Sequence, residues 1–257
     1  MKRWLKDNVA GIAVVIGLFA LWCAASAFDV VDEEFMPSPG DVWDALVAVN
    51  VYGYKSDTLL GHLVASLGRL LAALAIAIVT AVPLGLLSGL NKHVRSALNP
   101  IIEFYRPLPP LAYYTLLVLW LGIGDASKIT LLFLACFAPI YVACVAAVLK
   151  MPASYTTAAR TLGANTSQVF KLVVLPYCLP DVFTGVRTAV GVGYSTLVAA
   201  EMVAATSGIG WMVLDASNWL RYDVVFVGIF VMGFTGIIID VALKSVERRI
   251  VPWKGHQ

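Results

Sequence analysis

Long apolar segments alternate with short polar ones along the whole chain, and most of the apolar segments are long enough to cross a lipid bilayer as helices. The run from Leu59 to Leu90 is too long for one perpendicular crossing, so we expect its first residues to lie at the membrane surface. The pattern predicts one all-α membrane domain over 1–257, with six spans at about 9–28, 70–90, 108–122, 129–149, 182–205 and 224–243.

The first apolar segment also has features of a secretory signal peptide. Ala25-Ser26-Ala27 matches the small residues of a cleavage site. The apolar core is longer than such signals usually have, however, and it contains Trp22 near its end. We therefore expect an uncleaved membrane span.

Composition excludes a soluble core, because 60% of the residues are hydrophobic, only 13% are charged and the mean hydropathy is +0.84. The net charge of +2 is small and the basic residues are scattered, so we expect no nucleic-acid partner. The four cysteines lack metal-ligand spacing, and lone His62 has no second ligand near it in the sequence. We expect no metal and no cofactor.

The positions of Lys and Arg predict the topology. Under the six-span pattern thirteen of them lie in tails and loops on one side, three on the other and two, Arg69 and Arg187, at the boundary. The basic side is expected to be the cytosol, with both termini in it. Residues 29–57 carry seven acidic residues and one basic residue, and are placed outside.

Residues 38–49 have the pattern of a short helix on the outer membrane surface. Ser38, Pro39 and Asp41 form a capping-box start, and Val42, Ala45, Leu46 and Val49 follow at helical spacing. The alternative is a solvated loop with incidental spacing. A second interfacial helix is expected in the later outer loop, through Trp211 and Trp219.

The long polar interval at 150–180 is predicted to form a cytosolic helix, a sharp elbow and a second helix. We expect Ser154 to cap the first helix, Gly163 to end it in the left-handed conformation, and Thr166 or Ser167 to cap the second. Pro176 is expected to break the second helix.

This loop resembles the signature loop of permease subunits in binding-protein-dependent ABC importers. The matching residues are the pair Ala158-Ala159, then Gly163, Val173 and Leu175-Pro176; Thr157 stands where the family usually has Glu. The resemblance covers nearly the whole chain and points to the sulfonate, nitrate and taurine group. Further matching segments are EFYRPLPPLAYY, LGIGDASK, GVGYSTLVAAEM and PWKG.

The resemblance implies a type I ABC importer permease fold in the bacterial cytoplasmic membrane. It implies a homodimer that binds two copies of an ABC ATPase subunit inside and an extracytoplasmic solute-binding protein outside. The expected solute is taurine or a related small sulfonate, with nitrate, bicarbonate or a vitamin precursor as alternatives. ATPase coupling is assigned to Thr157, Ala158, Ala159, Leu162, Gly163, Leu175 and Pro176.

The chain is not expected to be an enzyme. It has no phosphate-binding loop and no hydrolase motif, so ATP hydrolysis is expected in a separate subunit. A secondary transporter or channel would be expected to show an intramembrane ion relay, and intramembrane acids are few here. A third alternative, a structural or sensing membrane scaffold, would leave the loop around Gly163 unexplained.

A further set of residues is expected to line the solute pathway or its gate. Glu201 lies about one turn from the outer end of the fifth span, where it either snorkels to water or faces the interior and pairs with Arg69. Small residues form two stripes on this span: Gly185, Ala189 and Gly193, and Gly191, Ser195 and Ala199. The candidate pathway or gate residues are Tyr113, Tyr114, Ser195, Glu201 and Arg69.

Overall fold

The computed structural model describes the backbone of residues 2–28, 32, 35–55 and 57–253, and the side chains of these residues except 2–8 and 10. Regular structure in the described residues is helical, apart from one isolated bridge between Tyr54 and Asp57. The helices are α1 Lys2–Ala27, α2 Pro39–Val51, α3 Leu59–Leu90, α4 Lys92–Tyr105, α5 Pro110–Leu121, α6 Asp125–Lys150, α7 Ala153–Thr161, α8 Thr166–Val169, α9 Leu175–Ala204, α10 Ile209–Asn218 and α11 Tyr222–Ile250.

Four helical segments of the described residues are long and apolar enough to cross a membrane: Leu59–Leu90, Asp125–Lys150, Thr166–Ala204 and Tyr222–Ile250. The apolar stretches Gly11–Ala27 and Pro110–Leu121 are shorter. The expectation of an all-helical membrane protein is confirmed, whereas the crossings by α1 and α5 stay predictions.

The centre of the fold is a close contact of α6 with α3 and α9. A Cβ atom on Gly193 would lie 2.6 Å from the sulfur of Cys136, and one on Gly185 would collide with Ala143. One predicted small-residue stripe of α9 therefore packs against α6, as small residues permit in membrane helices. The other stripe differs, because Gly191 and Ser195 are exposed in the isolated chain.

The helix that carries the second predicted span begins well before residue 70. The side chain of Thr58 caps it by accepting from the Gly61 N–H, and the helix continues through His62, Arg69 and Pro83 to Leu90. The polar segment after it is also helical. There Asn91 caps α4, which lies between the second and third predicted spans.

The two short helices expected at the membrane surface are present as helices. Ser38 and Asp41 form the capping box of α2, as predicted. Both helices bury one face, α2 against α11 and α10 against α9 and α11, and Met212 of α10 is fully buried. The alternative prediction of a solvated loop at 38–49 is therefore wrong. Trp219 terminates α10 and is exposed, whereas Trp211 is half-buried.

Candidate coupling elbow and charge cluster

The loop after α6 forms the expected elbow, which we define as α7, Gly163 and α8. Gly163 has φ +86°, in the left-handed region where glycine avoids the clash of a side chain. Its N–H donates to the Arg160 carbonyl at 2.9 Å, and the Ala164 N–H donates to the Ala159 carbonyl at 3.1 Å. This pair of bonds is a Schellman motif, which ends α7 and turns the chain sharply.

The caps of the elbow helices differ from those expected. The residue before α7 is Pro152, which has no side-chain bond to offer, and Ser154 lies inside the helix. Proline is suited to this place because a helix leaves its first N–H groups unpaired. The cap of α8 is Asn165, whose side chain accepts from the Gln168 N–H at 2.9 Å, while the Gln168 side chain accepts from the Asn165 N–H at 2.8 Å. Neither Thr166 nor Ser167 is the cap.

Pro176 does not break the second helix. A π-helical turn at Phe170–Val174 joins α8 to α9, and the Leu175 N–H donates to the Phe170 carbonyl five residues earlier. Pro176 then falls in the first turn of α9, directly after the π-helical turn, and the helical backbone continues past it. The elbow is thus continuous with the long helix that follows it.

The first half of the elbow makes few contacts with the rest of the chain. None of the α7 residues is buried, and Leu162 is 89% exposed. Thr157 and Ala158 are exposed, whereas Ala159, Leu175 and Pro176 are half-buried. The Thr157 hydroxyl donates to the Ala153 carbonyl of its own helix at 3.0 Å. The expected coupling residues therefore include an apolar and a small-residue surface that this chain leaves uncovered.

At the opposite end of α9, Arg69 is the centre of a charge cluster that we define as Ser66, Arg69, Asp125, Glu201 and Ser207. The Arg69 side chain donates from Nη1 to Glu201 Oε1 at 2.7 Å and from Nε to Asp125 Oδ1 at 2.7 Å. It also donates to the carbonyl and hydroxyl oxygens of Ser207, each at 2.9 Å. One guanidinium thus ties α3 to α6, to α9 and to the segment that follows α9.

Glu201 is fully buried, and its carboxylate has a complete set of donors. Besides Arg69, the Ser66 hydroxyl lies 2.8 Å from Oε1 and the Gly210 N–H donates to Oε2 at 3.0 Å. Hydrogen bonds of this kind are needed to keep a carboxylate ionised away from water. The predicted pairing of Glu201 with Arg69 is confirmed, and the snorkelling alternative is wrong.

The cluster also fixes the segment between α9 and α10. The Gly208 N–H donates to His62 Nδ1 at 3.2 Å, and the Ile209 N–H donates to the Ser66 hydroxyl at 3.0 Å. Gly208 has φ +119°, and a Cβ atom there would collide with the Glu201 carboxylate. Any movement of this segment must therefore break or carry along the cluster.

Sequence reasoning missed several members of this region. Asp125 and Lys128 lie in LGIGDASK, one of the segments that carry the resemblance. Lys128 is buried, with its Nζ 3.3 Å from the Gly124 carbonyl oxygen. Ser66 and Ser207 carried no signal, because a single hydroxyl near an apolar segment is common. Charged residues next to a glycine turn between two spans were the signal that could have identified Asp125.

The remaining expected pathway residues do not join the charge cluster through any described hydrogen bond. Tyr113 lines a cavity of about 430 Å³ between α5, α6 and α9. Tyr114 is buried beside Leu117 and Leu131. Ser195 is exposed on α9, about two turns beyond Thr188 and three beyond Thr184. Both threonines are exposed and line the cavity that Tyr113 lines.

A second polar contact holds the segment before α3 against α10. Asp215 accepts from the Tyr54 hydroxyl at 2.7 Å and from Lys55 Nζ at 2.7 Å, and Lys55 also lies over the Trp219 ring at 5.4 Å. Desolvation raises the pKa of the Asp215 carboxyl, but the hydrogen bonds from Lys55 and Tyr54 outweigh it and the pKa is lowered. Burial and the nearby Asp215 raise the pKa of Tyr54.

Comparison with known proteins identifies relatives over the full length of the chain. The taurine transport system permease protein TauC of Escherichia coli is 42% identical over 257 residues, which covers 100% of this chain and 92% of the relative. The putative aliphatic sulfonates transport permease protein SsuC of the same organism is 33% identical, covering 98% and 94%. The nitrate import permease protein NrtB of Synechocystis is 28% identical, covering 94% and 87%.

The family profile described as "Binding-protein-dependent transport system inner membrane component" matches residues 81–252, which include the elbow and Glu201. The apolar helices described above agree with a location in the inner membrane. The family expected from the loop at 150–180 is therefore confirmed. This chain belongs to the family of inner-membrane permease components of binding-protein-dependent transport systems.

Proposed function

We propose that the chain is the membrane-spanning subunit of an ATP-driven importer of taurine or a related small sulfonate. Two identical copies form the pathway, two ATPase subunits bind on the cytosolic side, and a solute-binding protein delivers the solute from outside. Each copy has six spans with both termini in the cytosol. ATP hydrolysis takes place in the ATPase subunits, so the chain itself is not an enzyme.

The observation that carries the proposal is the uncovered elbow. An exposed helix of nine residues, none of them fully buried, ends in a Schellman motif at Gly163, which is expected of a surface that a partner covers. We assign this surface, Thr157 to Gly163, to the cleft of the ATPase. Because α8 continues into α9, a displacement of the elbow is passed directly to a membrane span.

With the elbow on the cytosolic side, the shape of the chain supports an inward-open state. The cavity lined by Tyr113 reaches Tyr105 and Arg106, at the ends of α4 and α5 that we place towards the cytosol. At the other end, the charge cluster closes the contact of α3, α6 and α9. We propose that Arg69 and Glu201 belong to the outer gate, and that its rearrangement accompanies opening to the outside.

The exposed hydroxyls on α9 are proposed to line the pathway. Thr184, Thr188 and Ser195 lie on one face of an apolar helix, and the Thr188 and Ser195 hydroxyls bond back to carbonyls of that helix. A polar face on a span is expected to meet water, solute or a second copy rather than lipid.

Taurine is the first choice of solute because the relative named as a taurine permease is 42% identical to this chain over its whole length. Relatives named as aliphatic sulfonate and nitrate permeases make these anions the second choices of solute. Bicarbonate and a vitamin precursor follow them. A secondary transporter is the remaining alternative.

The test is transport in proteoliposomes that hold the permease, its ATPase and its binding protein. We expect uptake of taurine that requires ATP on the ATPase side, and weaker uptake of nitrate or bicarbonate. Uptake of nitrate in preference to taurine would move the solute to the second choice. Uptake without ATP, driven by an ion gradient, would replace the importer by a secondary transporter.

A further inference from the structure

Two adjoining cavities lie between α9 and α11, at the end of the helices nearest the elbow and away from the cavity lined by Tyr113. The first, of about 350 Å³, is polar and is lined by Arg187, Lys244, Glu247 and Arg248 together with Val251 and Pro252. The second, of about 160 Å³, is mainly apolar and continues along the crevice between Tyr194, Gly236, Ile239 and Leu243. Arg187 lines both cavities.

The polar cavity has an excess of positive charge. Asp240 accepts from Arg187 at 3.0 Å and lies 2.6 Å from Lys244 Nζ, and Glu247 lies 3.9 Å from Arg187. Two carboxylates therefore face three cations. Arg248 has no ion pair within the described part of the chain, so the cavity is suited to an anion.

The adjoining crevice adds a requirement that a free anion does not meet. Glycine leaves it open at two places, since a Cβ atom on Gly191 would meet nothing within 4 Å and one on Gly236 only the Tyr194 ring at 3.8 Å. The neighbouring face of α11 is apolar and exposed, with Ile237 at 62% and Ile238 at 66%. A ligand that fills both cavities needs an anionic head and an apolar tail.

We propose that this is a binding site for an anionic phospholipid of the cytosolic leaflet. The phosphate lies among Arg187, Lys244 and Arg248, and an acyl chain occupies the crevice beside Gly236. Basic pockets between membrane helices on the cytosolic side recognise lipid head groups in this manner. A lipid there would hold α11 against the helix that carries the elbow's movement, so its occupancy would tune coupling without being part of the solute pathway.

The charge of the site is tested by lipid binding to the purified full-length chain in detergent, measured by native mass spectrometry. The probes are phosphatidylglycerol, phosphatidylcholine and inorganic phosphate. We expect phosphatidylglycerol to bind more tightly than phosphatidylcholine, and the double variant Lys244→Gln/Arg248→Gln to weaken it roughly tenfold. Arg249→Gln is the matched control, because Arg249 is the next residue but does not line the cavity. Equal binding by the double variant and the control would overturn the proposal.

The tail is tested by filling the crevice. Gly236→Leu should weaken phosphatidylglycerol but leave inorganic phosphate unaffected, whereas Gly233→Leu, which faces open space one turn away, should change neither. If Gly236→Leu has no effect on the lipid while inorganic phosphate displaces it fully, the site is one for a free anion and the lipid assignment is wrong. None of these readouts depends on transport, so they are independent of the proposed solute.

Discussion

The Arg69 guanidinium and the Glu201 carboxylate lie 2.7 Å apart, with exposed side-chain fractions of 7% and 1%. Such a pair is held in place more by the penalty of leaving one charge alone than by a net gain from both. Asp125, the other carboxylate bonded to Arg69, is 64% exposed. Water screens its charge, so it compensates the Arg69 charge less than Glu201 does. The buried partner of Arg69 is therefore Glu201.

A double-mutant cycle measures this dependence. Arg69→Gln and Glu201→Gln should each destabilise the chain by about 3–5 kcal/mol, because each leaves a charge buried, and the double variant should lose less than the sum. Thermal unfolding in detergent gives the stabilities, and uptake gives the effect on transport. Arg221→Gln is the control, since its pair with Asp223 is exposed on the Arg221 side and should contribute at most about 1 kcal/mol. Additive losses in the cycle would contradict the coupling.

Gly163 should be required for its conformation rather than for its small size. A Cβ atom there meets nothing within 4 Å, so only the left-handed backbone opposes a larger residue. Gly163→Val should cost about 1–2 kcal/mol locally, misdirect α7 and abolish solute-stimulated ATP hydrolysis while the chain still inserts. Gly163→Asn is the control, because asparagine tolerates this conformation, and it should retain most activity. Full stimulation in Gly163→Val would remove the elbow from the coupling mechanism.

The features that sequence predicted well are those set by neighbours in the chain. The capping box of α2 and the left-handed Gly163 each need only a few consecutive residues. The pair of Arg69 and Glu201 was accessible for another reason: charges are rare in the spans, and both occur at one depth. Local rules suffice when few alternatives exist.

The features that were missed depend on the rest of the structure. Pro176 has the local signal of a helix end, but a π-helical turn precedes it and the proline is the second residue of α9. Asp125, Ser66 and Ser207 reach Arg69 from three separate segments, which no spacing in the sequence reveals. Contacts between distant segments depend on how the helices pack. That packing is determined by the apolar faces of all the helices together, so no single stretch of sequence predicts it.

The contact of Asp215 with Lys55 and Tyr54 predicts a pH dependence. A carboxyl whose pKa is lowered by folding stabilises the folded protein at any pH above the ordinary pKa of that group. This contribution is lost as the pH falls through the lowered pKa. The melting temperature of the wild type should therefore fall between about pH 4 and the acid limit by more than that of Asp215→Asn. Parallel curves for the two proteins would show that the contact contributes nothing. The exposed Asp44 supplies the control, Asp44→Asn.

Topology can be tested with single cysteines in a variant that lacks the four native ones. A membrane-impermeant thiol reagent added outside should label positions 38 and 217, and should not label position 165 or the carboxyl end, whose last residues lie outside the described part of the chain. Asn165 is exposed, so its protection would report the side of the membrane and not burial. Labelling after the membrane is permeabilised supplies the control. Outside labelling at 165 would overturn the cytosolic position of the elbow.

Two positions on α9 should separate packing from transport. Gly193 faces Cys136 and Leu70, whereas Ser195, two residues later, is exposed in the isolated chain. Gly193→Val should force α9 away from α6 and lower stability by about 1–3 kcal/mol, because the close contact has no room for a side chain. Ser195→Val should leave the melting temperature of the single chain nearly unchanged and reduce uptake, since it replaces a hydroxyl on the proposed pathway by an apolar group. The comparison is made on folded protein, with stability measured in detergent and uptake in proteoliposomes. Unchanged uptake in Ser195→Val would place the pathway on another face of the helix.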